Sequence, residues 1–486
     1  MILIRPEVGD FESTGDKSYY DIRGFLTNKV YADGKGPVYG YTAGGRLKSR
    51  AWARNVITTY TTNAAGDVNT VMYSDGTLGM TNTHDRLGRL ISVVQGTNTT
   101  TLLYGAAGQL LSETCNGFTV TNTYDSLLRR SSVSVASFAS TLTQYGYDAA
   151  SRLGSVTNGS YTAAYTYHAN SSLVNTITLA QSGTPRLTTT KAYDNLNRLT
   201  SISNAAVSAL RFNFGYNSAN QRTGVTNADG SRWTYQYDSL GQLINGKKYW
   251  SDNSIVAGQQ FEYSFDDIGN RKVAASGGNE WGSNLRYQNY TVNNLNQYMQ
   301  RTVPGTVDVI GTATNPATVT VNNQPTYRKG DYFRKDLALD NSVAVFQSIT
   351  NLAVLNQGTN SDIVTNINRN IFLPKNPEAF SYDADGNLTN DGRWSYRWDA
   401  ENRLVNMTGN TNIPSGARLK LDFSYDYRSR RTWKVVSTWN GSSYISASTN
   451  KFVYDGWNLI AEVNQTNGTV RAYVWGSDLS GSFQEA

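Results

Sequence analysis

His84 and Asp85 stand side by side in HDRLGRL (84–90), and Arg89 follows the aspartate by four positions. A histidine beside a carboxylate, with a cation in reach, is the raw material of general acid–base catalysis. Three other stretches invite a chemical reading. DADGN (383–387) sets oxygen-bearing side chains at alternate positions, as the start of a calcium loop does. YRSRRTWK (427–434) gathers Arg428, Arg430, Arg431 and Lys434, as a phosphate-binding patch would. TGDKS (14–18) resembles a piece of a phosphate loop but lacks its glycine-rich run.

The elements that carry these residues decide among the readings, because the same seven residues recur along the chain. HDRLGRL aligns on YDIRGFL (20–26), YTAGGRL (41–47), YGAAGQL (104–110), YDAASRL (147–153), YDNLNRL (193–199), YDSLGQL (237–243), YDADGNL (382–388) and WDAENRL (398–404). Weaker copies begin at Thr62, Tyr124, Tyr167, Tyr216, Phe265, Val292, Tyr425 and Tyr454, which makes seventeen anchors. Self-similarity at a near-constant period is the mark of a repeat architecture.

Each column has a physical reading. The anchor is aromatic at Tyr20, Tyr41, Tyr104, Tyr124, Tyr147, Tyr193, Tyr237, Phe265, Tyr382, Trp398, Tyr425 and Tyr454. Two residues earlier stands Tyr or Phe in twelve of the seventeen copies, which puts both rings on one face of a strand. The next column is Asp21, Asp85, Asp125, Asp148, Asp194, Asp238, Asp266, Asp383, Asp399, Asp426 and Asp455, a short carboxylate placed to accept backbone N–H groups of a turn. Four after the anchor come Gly24, Gly45, Gly66, Gly88, Gly108, Gly241, Gly269 and Gly386, with Asn in five further copies; these residues tolerate the positive φ of a hairpin turn. Six after the anchor, an apolar residue in twelve copies begins the returning strand, whereas Arg130, Arg222, Arg271 and Arg431 break that pattern without a local explanation.

Each unit therefore reads strand, tight turn, strand. His84 fills a slot usually held by tyrosine, and Asp85 is turn chemistry. DADGN lies in the same register and lacks the bidentate Glu at the twelfth position of a calcium loop. YRSRRTWK reads as a solvated or lumen-facing strand. The sequence offers no nucleophile with a base, no metal cluster and no cofactor motif, so the expectation is a chain that is not an enzyme and has no catalytic, cofactor-binding or metal site.

Composition agrees. Tyr supplies 32 of 486 residues and Gly 43, against 9 Pro, the signature of many short strands and turns. With 43 basic and 37 acidic residues the net charge is +6, too small an excess at this length to favour a nucleic-acid partner. One cysteine excludes an internal disulfide, and with two histidines it makes a zinc site improbable on composition. No apolar run is long enough for a membrane span, and MILIRPEVGD lacks a signal-peptide pattern.

These residues resemble the YD repeat of the Rhs family, which is similar to the shell of teneurins and of the C component of insecticidal toxin complexes. The resemblance covers about residues 18–298 and 380–482, and FVYDGWNLIAEVN (452–464) with RAYVWGSDLSGS (471–482) looks like the approach to the Rhs-associated core. It implies hairpins laid side by side in a spiralling antiparallel sheet that forms a hollow shell, complete or partial, around a C-terminal toxin. The chain stops at SGSFQEA, before the family's self-cleavage motif, and reads as a fragment lacking that motif and the effector.

The repeat vanishes between about residues 299 and 379. Period-two alternation around Val319, Val321, Tyr332 and Leu337, with an Asn-Asn turn at 322–323, predicts a small immunoglobulin-like β-sandwich. The expected organisation is a YD-repeat shell over 1–298, an inserted sandwich over 299–380, and the shell continued over 381–486. The expected function is structural encapsulation of a C-terminal effector polypeptide and help in its delivery, by a secreted or cell-surface protein, with a partner chain completing the shell if it is open. The alternative is an extracellular carbohydrate-binding or adhesion protein using its aromatic columns.

Overall fold

Alternating apolar and polar residues cut by a turn signal every ten or so positions leave the chain little choice but antiparallel hairpins. The computed structural model describes residues 3–4, in backbone only, and 16–476. The outer ends of the expected 1–298 and 381–486 segments, Thr14 and Gly15 of TGDKS and the 477–482 part of the core-like stretch lie outside the described residues. Among the described residues there are forty-four strands and one 3-10 turn, Ser415–Ala417. No helix among them is long and apolar enough to cross a membrane.

Twenty-eight strands join in one antiparallel sheet. It runs hairpin by hairpin from Leu3–Ile4 to Tyr298–Arg301, whose far edge is covered by Glu378–Ala379. Nine further strands, Ser381–Tyr382 to Thr469–Ala472, form a second such strip. Between them lie two smaller sheets. Thr306–Thr312, Tyr332–Ala338 and Tyr327–Lys329 make one; Gln324–Pro325, Thr318–Val321, Val345–Gln357 and Asn360–Leu373 make the other. Val319, Val321 and Ile349 from the second meet Phe333 and Leu337 from the first in a shared core. The Asn-Asn turn is present, with Asn322 and Asn323 at φ 47° and 60°. The expected boundaries at 299 and 380 are displaced inward, because Tyr298–Arg301 and Glu378–Ala379 pair with each other within the long sheet.

The repeat turn has one construction. In HDRLGRL the Asp85 N–H donates to the Arg89 carbonyl at 2.9 Å and the Gly88 N–H to the Asp85 carbonyl at 3.0 Å. The strand register shifts by one residue at His84, leaving Gly88 in the left-handed region at φ 77°. Gly241 is the same, at φ 81°. The return turns, which the sequence reading passed over, reuse this loop: Trp52 donates to Val56 around Asn55, and Asn227 to Ser231 around Gly230.

The left-handed column extends past Gly and Asn. Leu128, Ser151 and Ser429 occupy it at φ 63°, 61° and 64°. It shifts at two copies: in the turn after Tyr167 the positive φ falls on Asn170, and in the turn after Tyr454 on Gly456. An added Cβ at Gly88 would meet only Asp67 Oδ1, at 3.7 Å, so strain there comes from the backbone alone. Gly88→Val is therefore expected to destabilise by about 1–3 kcal/mol. Leu128, half out in solvent, should gain about 1 kcal/mol on replacement by Asn. Thermal melts of the two variants check both signs, and a stabilised Gly88→Val would refute the turn assignment.

Candidate functional site: the turn ladder and the seam

The repeat residues assemble into a ladder that runs from turn to turn. Asp85 Oδ1 accepts the N–H groups of Leu87 and Arg89 at 2.9 and 3.0 Å, and its Oδ2 takes the Arg89 Nε at 2.7 Å. Asp125, Asp148 and Asp194 do the same with Arg129, Arg152 and Arg198. The Arg129 side chain, ahead of opposing burial and of the backbone donors, holds the Asp125 carboxyl below the usual carboxylate range. Asp21 pairs instead with Arg23 in its own turn, and Asp238 and Asp266 accept the backbone N–H groups of Gln242 and Asn270.

Each arginine then lies over the anchor ring of the following repeat. Arg89 sits 4.8 Å from the Tyr104 centroid, Arg129 4.5 Å from Tyr147, Arg152 4.3 Å from Tyr167 and Arg403 5.1 Å from Tyr425. That tyrosine turns its hydroxyl back to the preceding repeat. Tyr124 donates to the Leu110 carbonyl, Tyr147 to Arg130, Tyr167 to Leu153, Tyr237 to Arg222 and Tyr454 to Arg431, all at 2.7–2.9 Å. Tyr41, Tyr193, Tyr382 and Tyr425 repeat the bond onto Leu26, Val174, Tyr298 and Leu404. Trp398 replaces tyrosine and keeps the donor, its Nε1 reaching the Leu388 carbonyl at 2.7 Å. Tyr20, Tyr104 and Phe265 hold the same strand-end position.

The four arginines that lacked a local reason acquire one. Arg222, Arg271 and Arg431 lie over Phe214, Tyr263 and Phe423, the rings two before their own anchors, at 4.3, 5.0 and 5.5 Å. Arg130 belongs to a copy with Asn122 in that column and pairs with Asp455 at 2.5 Å.

That last pair crosses between the two strips. The repeat turns of the C-terminal strip sit against the return turns and strands of the first. Arg54 pairs with Asp385 at 2.7 Å and Arg50 with Glu401 at 2.9 Å. Trp52 Nε1 donates to the Ala400 carbonyl at 2.7 Å, and the Ala400 N–H to Thr77 Oγ1 at 3.0 Å. Arg430 holds Asp426 at 2.7 Å and Glu113 at 2.5 Å, all three buried. Beside them Phe118, Val120, Val133 and Val135 pack on Val453, Ile460, Ala461 and Val463. The strip thus coils back so that one turn of repeats seats on another.

The chemical readings resolve in this geometry. Both Asp85 oxygens face into the turn, so the carboxylate does not orient His84. In DADGN, Asp383 accepts from Asp385 and Asn387 while Asp385 is held by Arg54. Arg430 is not the solvated residue that YRSRRTWK suggested: its partners bury it. Glu113, Arg54 and Trp52 were missed; the available signal was a lone carboxylate within the strand LLSETC, at Glu113.

Comparison with known proteins follows the same lines. The RHS Repeat family profile matches residues 216–250, one full period from anchor Tyr216 past Tyr237. Over those residues the chain carries the RHS repeat. A 103-residue stretch is 36% identical to the tRNA nuclease WapA of Bacillus subtilis (strain 168), covering 21% of this chain and 4% of that one. The tRNA3(Ser)-specific nuclease WapA of Bacillus spizizenii matches to the same extent. The chain thus spans a small fraction of these relatives. In fold, the chain is similar to the crystal structure of TcdB2-TccC3, with TM-score 0.50 and 15% identity over 95% of this chain and 26% of that one. It is also similar to TcdB2-TccC3-Cdc42, with TM-score 0.50 and 14% identity over 93% and 25%.

Two outcomes follow for the stability of the ladder and the seam. Arg430→Met strands two buried carboxylates and should cost about 3–5 kcal/mol, whereas Arg89→Met, breaking a solvent-screened pair, should cost clearly less. Urea denaturation separates the two. The second outcome concerns alkali. Burial pushes the Tyr147, Tyr167, Tyr193, Tyr425 and Tyr454 hydroxyls up from their ordinary value. A phenol with a raised folded pKa contributes fully below the unfolded value of about 10 and loses that contribution as pH rises through the folded one. Melting temperature should hold up to about pH 10 and fall beyond it, with tyrosinate absorbance appearing in step with unfolding.

Proposed function

We propose that this chain is a section of an encapsulating wall, which encloses another polypeptide and helps deliver it, and does no catalysis of its own. The observation that carries this reading is the seam. A flat sheet has no reason to bury Arg430, Glu113 and Asp455 between its own repeats, whereas a strip wound into stacked coils does. Winding also removes edges, the liability of a long antiparallel sheet. The enclosed partner is a toxin or other effector polypeptide, the setting is secreted or cell-surface, and 306–373 is an immunoglobulin-like module decorating the wall between a shell segment that runs to Arg301 and one that resumes at Glu378. The repeat-signature residues serve as structural rungs. The likeness to TcdB2-TccC3 supports the wall architecture; the nuclease activity in the name of the WapA relatives belongs to those proteins.

The carbohydrate-binding alternative needs open aromatic faces. Arg89, Arg129, Arg152 and Arg403 cover the anchor rings and leave little for sugar stacking.

An unfolded test polypeptide appended after Ala486 of the full chain should survive a protease that digests it when free. Protection should vanish when Arg130 and Arg430 are both replaced and the seam opens. Equal digestion of fused and free polypeptide would overturn encapsulation.

A further inference from the structure

Sheet edges expose unpaired N–H and C=O groups, and natural edges are short, bulged, or carry Pro or charge. Among the described residues seven of the eight edges are two to four residues long or carry a net charge. Leu3–Ile4, Glu378–Ala379, Ser381–Tyr382 and Gln324–Pro325 are two residues each, the last ending in proline. Tyr327–Lys329 and Thr469–Ala472 are three and four residues and carry basic side chains. Thr306–Thr312 has Asp308, held by Arg334 at 2.7 Å and by Arg286. The eighth, Asn360–Leu373, has fourteen residues, no proline and no lysine.

That strand is exposed along residues 360–370, including the apolar Ile363, Val364 and Ile367. Its hairpin partner Val345–Gln357 has no charged residue, and the strand itself has one of each sign, Asp362 and Arg369. Ile363, Thr365 and Ile367 form one face, beside Ile310, Val319 and Phe333 around a cleft of 440 Å³.

The segment Ile363-Val364-Thr365-Asn366-Ile367 has an isoleucine two residues to either side of Thr365. We infer that Asn360–Leu373 pairs antiparallel with the same strand of a second copy, with Thr365 facing Thr365. A two-fold axis through an antiparallel pair requires a residue to oppose itself, because successive side chains alternate faces. In this register Ile363 opposes Ile367 twice on the cleft-side face, so the apolar stripe continues across both copies. Asp362 opposes Asn368 and Arg369 opposes Ser361, while the two Asp362 side chains stand about 20 Å apart along the ribbon. No like charges meet across the pairing, so charge does not oppose the apolar contact. The contact is isologous and closes at two chains.

Sedimentation of the full chain should show a dimer. Thr365→Lys places like charges directly opposite and should raise the concentration for half-dimerisation about tenfold or more, with the melting curve of the monomer unchanged. In a Cys115→Ser background, Thr365→Cys should cross-link to itself under oxidation, while Val364→Cys and Asn366→Cys should not. A monomeric wild-type chain, a dimer indifferent to Thr365→Lys, or cross-linking that peaks at another position would each overturn the proposal. A monomer that instead binds a synthetic extended peptide at this edge would assign the edge to a foreign strand.

Discussion

The acceptance of two backbone N–H groups by one aspartate oxygen is the interaction on which the rest of this molecule depends. It closes the five-residue turn, and the second oxygen then has one direction left, toward the arginine that ends the same turn. The guanidinium so fixed becomes a plate for the next anchor ring, and that ring's hydroxyl ties back to the strand before it. A local turn preference is thereby converted into a rule for placing the neighbouring hairpin. The buried hydrophobic residues are few, with valine the commonest, so a good part of the inter-repeat order comes from this polar relay.

The same rung has two energies depending on where the coil puts it. At Asp85–Arg89 both partners are half exposed, and solvent screens the pair to a small contribution. At Asp426–Arg430 the coil brings Glu113 onto the same guanidinium and excludes water. The two carboxylates raise the arginine's already high pKa, against the opposing and larger single effect of burial. Burial makes such a pair costly to break more than profitable to form. The seam is for that reason better understood as specifying which repeats meet than as a reservoir of stability, while the valine cluster beside it supplies the apolar area.

Glycine in the turn column is a convenience rather than a requirement. Leu128 and Ser429 take the same left-handed backbone because the aspartate and the two flanking strands impose it. Where the aspartate is replaced by histidine, at His168, the loop lengthens and the positive φ moves to Asn170. At Gly105, with no side chain in the column, the same turn closes on backbone bonds around Gly108, so carboxylate and glycine can each carry it.

The aspartate, glycine and aromatic columns are short-range: a turn and its two strands lie within one period, so their spacing alone determined strands, turn positions and the repeat family. It also exposed His84 as an anchor substitute rather than a catalytic base, since a residue's place in a repeat can be read without knowing its neighbours in space. The Arg222, Arg271 and Arg431 stacks were nearly legible too, because each ring lies within one period of its arginine. The seam was not. Arg430 meets Glu113 and Arg130 meets Asp455 across more than three hundred residues of chain. Nothing in a local pattern states how many hairpins the strip completes before it comes round, because that number follows from twist and coil accumulated over every pair of strands. Only the tertiary structure decided which arginines remained in water and which were buried as the lock between coils.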